Sequence, residues 1–207
     1  TYNTKIPSYG ATGWWDKSAY KEGMVLGDIW GLQFDRFLTE DDFNADGSLK
    51  AGLPDQTKVF PAGYQFAPGD VLYKDLDNNG EIVKQTNTND KGDLSVIGNA
   101  LPRLQFGLNL DAAWKGFDIS MFFQGVAKRK LWAAGNQVLP GFTTGEPFYK
   151  GAEDYWTPEN TDAFYPRPMD YKQSASGNYS VNDRYLLNMA YLRLKTFTVG
   201  YSLPKVW

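Results

Sequence analysis

The 207-residue sequence contains no cysteine and no histidine. Their absence excludes disulfides, thiol nucleophiles, the Ser-His-Asp arrangement of hydrolases and the usual ligands of zinc. The formal charge is −3 and no extended basic run is present, so a nucleic-acid partner is not expected. No stretch of about eighteen apolar residues occurs, which excludes a transmembrane helix, and the N-terminus has no signal-peptide pattern.

Aromatic residues, by contrast, make up 16% of the chain. A core alone does not require that many, so we expect aromatic side chains at surfaces, interfaces or ligand grooves. Helical periodicity is scarce, and the short segments 16–22 and 151–156 are the helix candidates. Apolar and polar residues alternate around Trp30 to Phe34, through 104–126, and from Tyr191 to Leu203. The sequence therefore predicts a mostly β protein.

The clearest pattern is a hairpin at 104–126. Apolar residues alternate with polar residues from Leu104 to Trp114, Lys115 and Gly116 form the turn, and the alternation resumes at Phe117. Each arm is about ten residues long, which is enough for a tilted strand to cross a hydrocarbon layer. A soluble antiparallel sheet with one wet face gives the same alternation, so the hairpin alone leaves both interpretations open.

The lengths of the segments that connect the predicted strands favour a membrane position for the hairpin. Two long segments, 38–102 and 127–185, alternate with the tight turn between the arms of the hairpin. Outer-membrane barrels have short periplasmic turns and long extracellular loops, whereas a compact soluble domain rarely contains irregular connections of this length. We therefore predict an all-β fold: an antiparallel transmembrane β-barrel segment with a membrane hairpin at 104–126 and extracellular loops at 38–102 and 127–185.

The final predicted strand carries two cations. Regular alternation places Arg193 and Lys195 on the face of Phe197, which would expose charge to lipid. We therefore expect Tyr191 to Lys195 to lie above the hydrocarbon, with Phe197 to Tyr201 inside it.

A candidate cation loop lies within the first long segment. Oxygen-bearing side chains recur at Asp75, Asp77 and Asn79, followed by Gly80 for a bend and by Glu81, which offers its backbone carbonyl. This is the first part of a calcium loop of the EF-hand type. An Asx-rich turn explains the same residues, so both interpretations stay open.

The twelfth position of such a loop is Thr86 and not a bidentate glutamate. The missing carboxylate would have to come from Asp90 or Asp93, because Ca²⁺ accepts six to eight oxygens in flexible geometry. Such a site would hold in place a long loop for which we expect little hydrophobic core.

A series of short motifs resembles one known family in order and spacing. The motifs are Gly69-Asp70, Tyr73 to Gly80, Gly92-Asp93, Ile97 to Asn99, Pro102, Phe106-Gly107, Trp114 to Asp118, Phe122 to Val126, Tyr155 to Asn160, Tyr165 to Arg167, Asp183-Arg184, Tyr191 to Lys195, Gly200-Tyr201 and Leu203-Pro204. Together they resemble the SusC/RagA type of TonB-dependent outer-membrane transporter, over nearly the whole range from Trp30 to Pro204.

The resemblance implies a barrel of about twenty-two strands in the bacterial outer membrane, filled by a plug, energised through TonB and closed outside by a SusD-like lipoprotein lid. It implies import of glycans, oligosaccharides or peptides, and a transporter instead of an enzyme. Residues 1–207 would be a late-middle part of that barrel, without plug or TonB-contact segment, supplying wall and external loops against outer-membrane lipid.

Two tryptophans of the second long segment, Trp132 and Trp156, are the predicted ligand contacts, because an indole stacks on the apolar face of a sugar ring. Packing and interface roles are the alternative. A soluble, calcium-stabilised carbohydrate-binding β-domain is the rival function. A carboxylate glycosidase using Glu153 and Asp154, or the acidic run 40–42, is a weaker rival, because adjacent loop carboxylates have no fixed separation.

Overall fold

The computed structural model describes residues 25–84, 91–133, 135, 138–140, 149–169 and 177–204. The helix candidate at 16–22, the loop position Thr86 and the alternative ligand Asp90 lie outside these residues. The strands are β1 (Asp28–Gly31), β2 (Phe34–Phe37), β3 (Val71–Tyr73), β4 (Ser95–Asn99), β5 (Leu104–Trp114), β6 (Phe117–Ala127), β7 (Lys130–Leu131), β8 (Leu187–Asn188) and β9 (Tyr191–Tyr201). The all-β prediction is confirmed, and the sheets are antiparallel.

The three long strands form one sheet in the order β5-β6-β9. Lys115 and Gly116 both have positive φ, 48° and 86°, which is the type I′ geometry of a two-residue hairpin. Trp114 and Phe117 form the closing pair. The amide of Ser202 donates to the carbonyl of Gly116 at 2.7 Å, so the end of β9 lies beside this turn.

One face of the sheet, which we call the apolar face, carries apolar side chains over its whole length. Because directly paired residues share a face, the register defines it. It comprises Leu104, Phe106, Leu108, Leu110, Ala112 and Trp114 of β5, Phe117, Ile119, Met121, Phe123, Gly125 and Ala127 of β6, and Leu192, Leu194, Phe197, Val199 and Tyr201 of β9. Most of its large side chains are exposed.

The opposite face, the polar face, carries amides, hydroxyls and charges. It comprises Gln105, Gly107, Asn109, Asp111 and Ala113 of β5, Asp118, Ser120, Phe122, Gln124 and Val126 of β6, and Tyr191, Arg193, Thr196, Thr198 and Gly200 of β9. The sheet is thus amphipathic across its thickness.

A β-bulge at Lys195 corrects the prediction for β9. Phe122 pairs with Thr196 and Phe123 pairs with Leu194, so Lys195 is the extra residue. The bulge changes the phase of the alternation, and Leu194 shares the face of Phe197 while Arg193 lies on the polar face. The prediction that Arg193 lies on the face of Phe197 was wrong, so Arg193 gives no reason for placing 191–195 above the hydrocarbon; the register assigns Lys195 to neither face.

The two long segments fold together with the flanking stretches 25–37 and 186–188 into a second unit, which we call the outer body. It contains the pairs β1-β4, β2-β3 and β7-β8. One buried cluster draws on both segments and on the stretch before the first: Leu32, Phe37, Val59, Phe60, Val71, Tyr73, Ile82, Leu94, Trp156 and Ala163. A second cluster joins Trp132, Leu139, Tyr179 and Tyr185. The expectation that the first segment has little hydrophobic core was therefore wrong.

Regular helix is limited to single turns of 3-10 helix at Glu40–Asp42 and Lys150–Ala152 within the described ranges. The second replaces the predicted helix at 151–156, because the chain returns to extended pairing at Tyr155 and Tyr165. In the described part of the chain, no helix is both long and apolar enough to cross a bilayer.

Candidate functional site

The candidate cation loop folds around its own carboxylates. The Asp75 carboxylate accepts hydrogen bonds from the amides of Asn78 at 2.7 Å and Gly80 at 2.8 Å. Asp77 accepts from the amide of Asn79 at 3.1 Å. Desolvation opposes ionisation of Asp75, but the amide donors outweigh it and lower the pKa of that carboxyl. The loop therefore holds Asp75 as an anion.

Asp93 reaches this loop from outside it. Its carboxylate is fully buried and accepts from the amides of Leu76 and Val83, both at 2.8 Å. One oxygen from each of Asp75, Asp77 and Asp93 lies within 4.8 Å of the other two. Desolvation, together with the negative charges of Asp93 and Asp75, raises the pKa of Asp77. Three carboxylates thus converge where the sequence predicted ligands from two separate stretches.

This donor set fits calcium in its chemistry and spacing. Ca²⁺–O bonds of 2.3–2.6 Å allow two ligands to be at most about 5 Å apart, and calcium takes carboxylate, amide and carbonyl oxygens. The side chain of Asn79 turns to the amide of Glu81 at 2.7 Å. The carboxylate of Glu81 instead pairs with Lys58, so the predicted contribution of Glu81 is restricted to its backbone carbonyl. Metal binding by these residues stays a prediction.

The two predicted ligand tryptophans lie in the core of the outer body. Trp132 is 6% exposed and Trp156 is 7% exposed. Trp132 packs with Tyr179 and Tyr185, and Trp156 packs with the cluster around Leu32. Both indoles connect parts of the outer body in this structure. Direct ligand contact by either one stays a prediction.

A buried ion pair that sequence reasoning missed joins the two long segments. Asp70 is fully buried and accepts hydrogen bonds from Arg167, Tyr64 and Asn178. Asn178 in turn accepts from the amide of Val71 at 2.8 Å. Gly69-Asp70 and Arg167 were recognised as motifs, but nothing in the sequence shows that residues 97 positions apart pair.

Arg184 connects the second long segment to β2. Its guanidinium lies over the rings of Phe34 and Phe37, with 4.4 Å and 5.0 Å to the ring centroids. It also donates to the backbone carbonyls of Ala163 and Phe164 at 2.6 Å and 2.8 Å. A cation fixed on aromatic faces and carbonyl oxygens is a structural clamp.

One carboxylate in each of the two acidic runs considered as glycosidase candidates has structural partners. Asp42 pairs with Arg36 at 2.6 Å. Asp154 accepts from the side-chain amide of Asn160 and from the amide of Phe164, both at 3.1 Å. These contacts organise local turns, so the geometry favours a structural role for both carboxylates.

No family model matches the sequence. Among curated proteins, the chain is 28% identical over 191 residues to the TonB-dependent receptor P3 of Formosa agariphila, which covers 89% of this chain and 16% of that protein. It is 34% identical over 132 residues to the TonB-dependent receptor P26 of the same organism, covering 62% of this chain and 12% of that protein. The chain therefore spans less than a fifth of the length of these relatives.

The similarity covers the long sheet and the outer body alike, because it extends over most of the chain. An all-β, antiparallel structure is what a barrel fragment of such a receptor requires. Over most of its length, the chain is thus similar to TonB-dependent receptors.

Proposed function

We propose that this chain forms part of the barrel wall and the external loops of a TonB-dependent importer in the bacterial outer membrane. The observation that carries the proposal is the apolar face of the β5-β6-β9 sheet. A soluble sheet packs its oily face against a second layer. Here Leu110 remains 43% exposed and Phe197 58% exposed in the middle of the strands. Lipid is the environment that covers such a face.

The dimensions of the sheet support a transmembrane position. Each long strand has eleven residues, which corresponds to roughly 35 Å of extended chain. At the tilt of about 40° that barrel strands adopt, this length spans roughly 27 Å, close to the apolar band of about 25 Å in outer-membrane barrels. The bulge at Lys195 keeps that band continuous across β9.

The two ends of the sheet support an orientation. Trp114, 70% exposed, lies beside the tight turn with Lys115 4.8 Å from its ring centroid, which is the chemistry of a membrane interface. The outer body extends from the opposite ends of the strands. We therefore propose that the turn is periplasmic, that the outer body is extracellular, and that the polar face lines the lumen.

The motif order favours the SusC/RagA type within this group. On that interpretation the complete protein imports glycans, oligosaccharides or peptides, TonB energises it through a part outside this sequence, and a SusD-like lipoprotein covers the outer body. Its role is transport and not catalysis. The rival function, a soluble carbohydrate-binding domain, does not explain why the apolar face is exposed.

We also propose that Asp75, Asp77, Asn79 and Asp93, with the carbonyl of Glu81, hold Ca²⁺. The three converging carboxylates carry this proposal. A bound cation would offset their mutual repulsion and fix segment 75–83 against the outer body.

Two neighbouring substitutions on β5 test the membrane position. Leu110→Arg places a charge in the middle of the apolar face, which costs about 2–4 kcal/mol at the bilayer midplane. Asn109→Arg places the same charge on the polar face, one residue away. In the full-length protein we expect Leu110→Arg to reduce the amount of heat-modifiable protein assembled in the outer membrane, and Asn109→Arg to assemble normally.

Equal assembly of the two variants would contradict the proposal, as would a full-length protein that fractionates as a soluble, monodisperse species without detergent. Uptake of a labelled nutrient that depends on TonB then tests import itself.

A further inference from the structure

The outer body contains an aromatic cleft of about 440 Å³. Four tyrosines line it: Tyr149, Tyr155, Tyr165 and Tyr179. Tyr149 is 42% exposed and Tyr155 is 40% exposed, whereas Tyr179 is 4% exposed. The size lies within the range of roughly 300–1,000 Å³ that is typical of small-molecule sites. The cleft thus has two accessible rings and a buried tyrosine.

Packing behind the cleft fixes two of these tyrosines. Tyr165 stacks on Tyr185 with 6.0 Å between ring centroids and 11° between planes. Tyr179 meets the same Tyr185 edge-on at 5.3 Å. Tyr185 is itself buried. Because side chains held by packing lose little entropy on binding, Tyr165 and Tyr179 are preorganised for a ligand.

The charges of the cleft indicate a neutral ligand. Among the residues of the cleft that the structure describes, Lys150 and Glu153 are one cation and one anion, so their formal charges cancel. Burial and the nearby Asp154 charge raise the pKa of Tyr165, so its hydroxyl stays protonated at neutral pH. A neutral tyrosine hydroxyl both donates and accepts hydrogen bonds, which suits a ligand that carries hydroxyl groups.

The backbone around the cleft disfavours an extended peptide. Three residues that line it, Pro140, Pro166 and Pro168, have no N–H. The amide of Tyr165 already donates to the backbone carbonyl of Asp154 at 3.0 Å. The amide of Ala152 donates to the backbone carbonyl of Tyr149 at 2.9 Å. Peptides bound as an added strand depend on main-chain hydrogen bonds, and these five lining residues have no free N–H to donate. The rings and polar side chains of the cleft are therefore better suited to contact a ligand than its backbone.

We propose that this cleft binds a short neutral oligosaccharide, with the rings of Tyr149 and Tyr155 stacking on sugar faces. The inference rests on the proposed import function and specifies its substrate class and external subsite. It moves the stacking role from Trp132 and Trp156 to tyrosines of the same long segment.

Isothermal titration calorimetry on the detergent-purified full-length protein tests the cleft. The probes are neutral hexasaccharides of β-1,4-glucose, α-1,4-glucose, β-1,4-mannose, β-1,3-glucose and β-1,4-xylose, and a hexapeptide of alanine and serine with blocked ends. We expect at least one sugar to bind, and the double variant Tyr149→Ala, Tyr155→Ala to lose about five- to tenfold or more in affinity. Tyr149→Phe, Tyr155→Phe keeps both rings and should lose less.

Tyr201→Ala removes an exposed tyrosine beside the periplasmic turn and is the matched control, expected to bind as the unchanged protein does. Heat-modifiability confirms that each variant is folded. Three results would overturn the inference: binding of the peptide alone, binding of none of the sugars, or equal affinity in the unchanged protein and the alanine variant. If one of these results were obtained and the protein still took up another nutrient in a TonB-dependent manner, the import function would be retained. Only the proposal that the cleft binds an oligosaccharide would be rejected.

Discussion

Asp70 and Arg167 form a bidentate ion pair between the two long segments, with 2.8 Å from Nε to Oδ1 and 3.2 Å from Nη2 to Oδ2. The two partners are not equivalent. Asp70 is fully buried, whereas the Arg167 side chain is 27% exposed. Removal of the arginine leaves a carboxylate in the core, but removal of the carboxylate leaves a cation that can turn to water.

We therefore expect Arg167→Met to destabilise the outer body more than Asp70→Asn does. The cost of Arg167→Met should be about 3 kcal/mol, the lower end for breaking a buried pair, because Tyr64, Ala67 and Asn178 still donate to Asp70. Hydrogen exchange of peptides from 64–73 in the full-length protein measures the loss of protection.

The exposed pair Lys58 and Glu81 supplies the control. Its side chains are 59% and 48% exposed, so Lys58→Met should change protection by less than about 1 kcal/mol. Comparable effects of Lys58→Met and Arg167→Met would show that the Asp70 ion pair does not fasten the segments.

The bulge in β9 yields a prediction about deletion. Removing Lys195 restores a regular ladder in which Leu194 keeps the face of Phe197, because Lys195 is the unpaired residue. Removing Thr198 instead moves every residue on one side of the gap to the opposite face. We expect the Lys195 deletion to assemble in the outer membrane and the Thr198 deletion to fail.

Heat-modifiable protein in outer-membrane fractions measures both deletions. Failure of both to an equal degree would contradict the assigned phase of β9, and so would assembly of the Thr198 deletion alone.

The sequence predicted the long strands because their period of two follows directly from backbone geometry. It also contained the signal for the bulge, a three-residue step from Leu194 to Phe197 within an otherwise alternating run. The prediction that Arg193 and Lys195 share one face holds only for a strictly regular strand, and β9 is not regular at this point. A phase change in the apolar series would have indicated the extra residue.

The outer body was harder to predict because its buried residues do not recur at a regular spacing in the sequence. Val59, Ile82 and Ala163 are buried in one cluster, yet they come from turns and short extended stretches. The candidate cation loop could be predicted because its oxygen-bearing side chains repeat within one short stretch, and Asp93 follows it closely in the sequence. The pairing of Asp70 with Arg167 depends on tertiary folding alone, and no local pattern reports it.

Removal of calcium should loosen the outer body. With Asp75, Asp77 and Asp93 as ligands, chelation leaves three converging negative charges without a counter-ion and lowers the melting temperature of the full-length protein. Asp77→Asn removes one of these charges, so its apparent calcium affinity should fall about tenfold or more.

Asp46→Asn is the matched control, because Asp46 also caps a turn, accepting from Ser48 at 3.0 Å and 2.6 Å. Differential scanning calorimetry with and without chelator makes the comparison. A melting temperature that does not respond to chelator, or equal calcium responses of the Asp77 and Asp46 variants, would contradict the site.

Low pH should weaken the contact between Arg36 and Asp42. The guanidinium of Arg36 donates to Asp42 at 2.6 Å and 2.7 Å, the amide of Thr39 donates at 2.7 Å, and together they lower the pKa of Asp42 from 3.8 to about 2. Because the folded-state pKa is the lower one, the stabilisation is fully present above about pH 4 and is lost as the pH falls towards 2.

The expected contribution is about 1 kcal/mol, since the Arg36 side chain is 42% exposed and solvent screens the pair. Asp42→Asn and Arg36→Met should each lower the free energy of unfolding at pH 7 by about that amount. Urea titrations of the full-length protein, followed by tryptophan fluorescence, should show both differences shrinking from pH 4 to pH 2. A gap between variant and unchanged protein that stays constant over this range would show that Asp42 does not titrate with a lowered pKa.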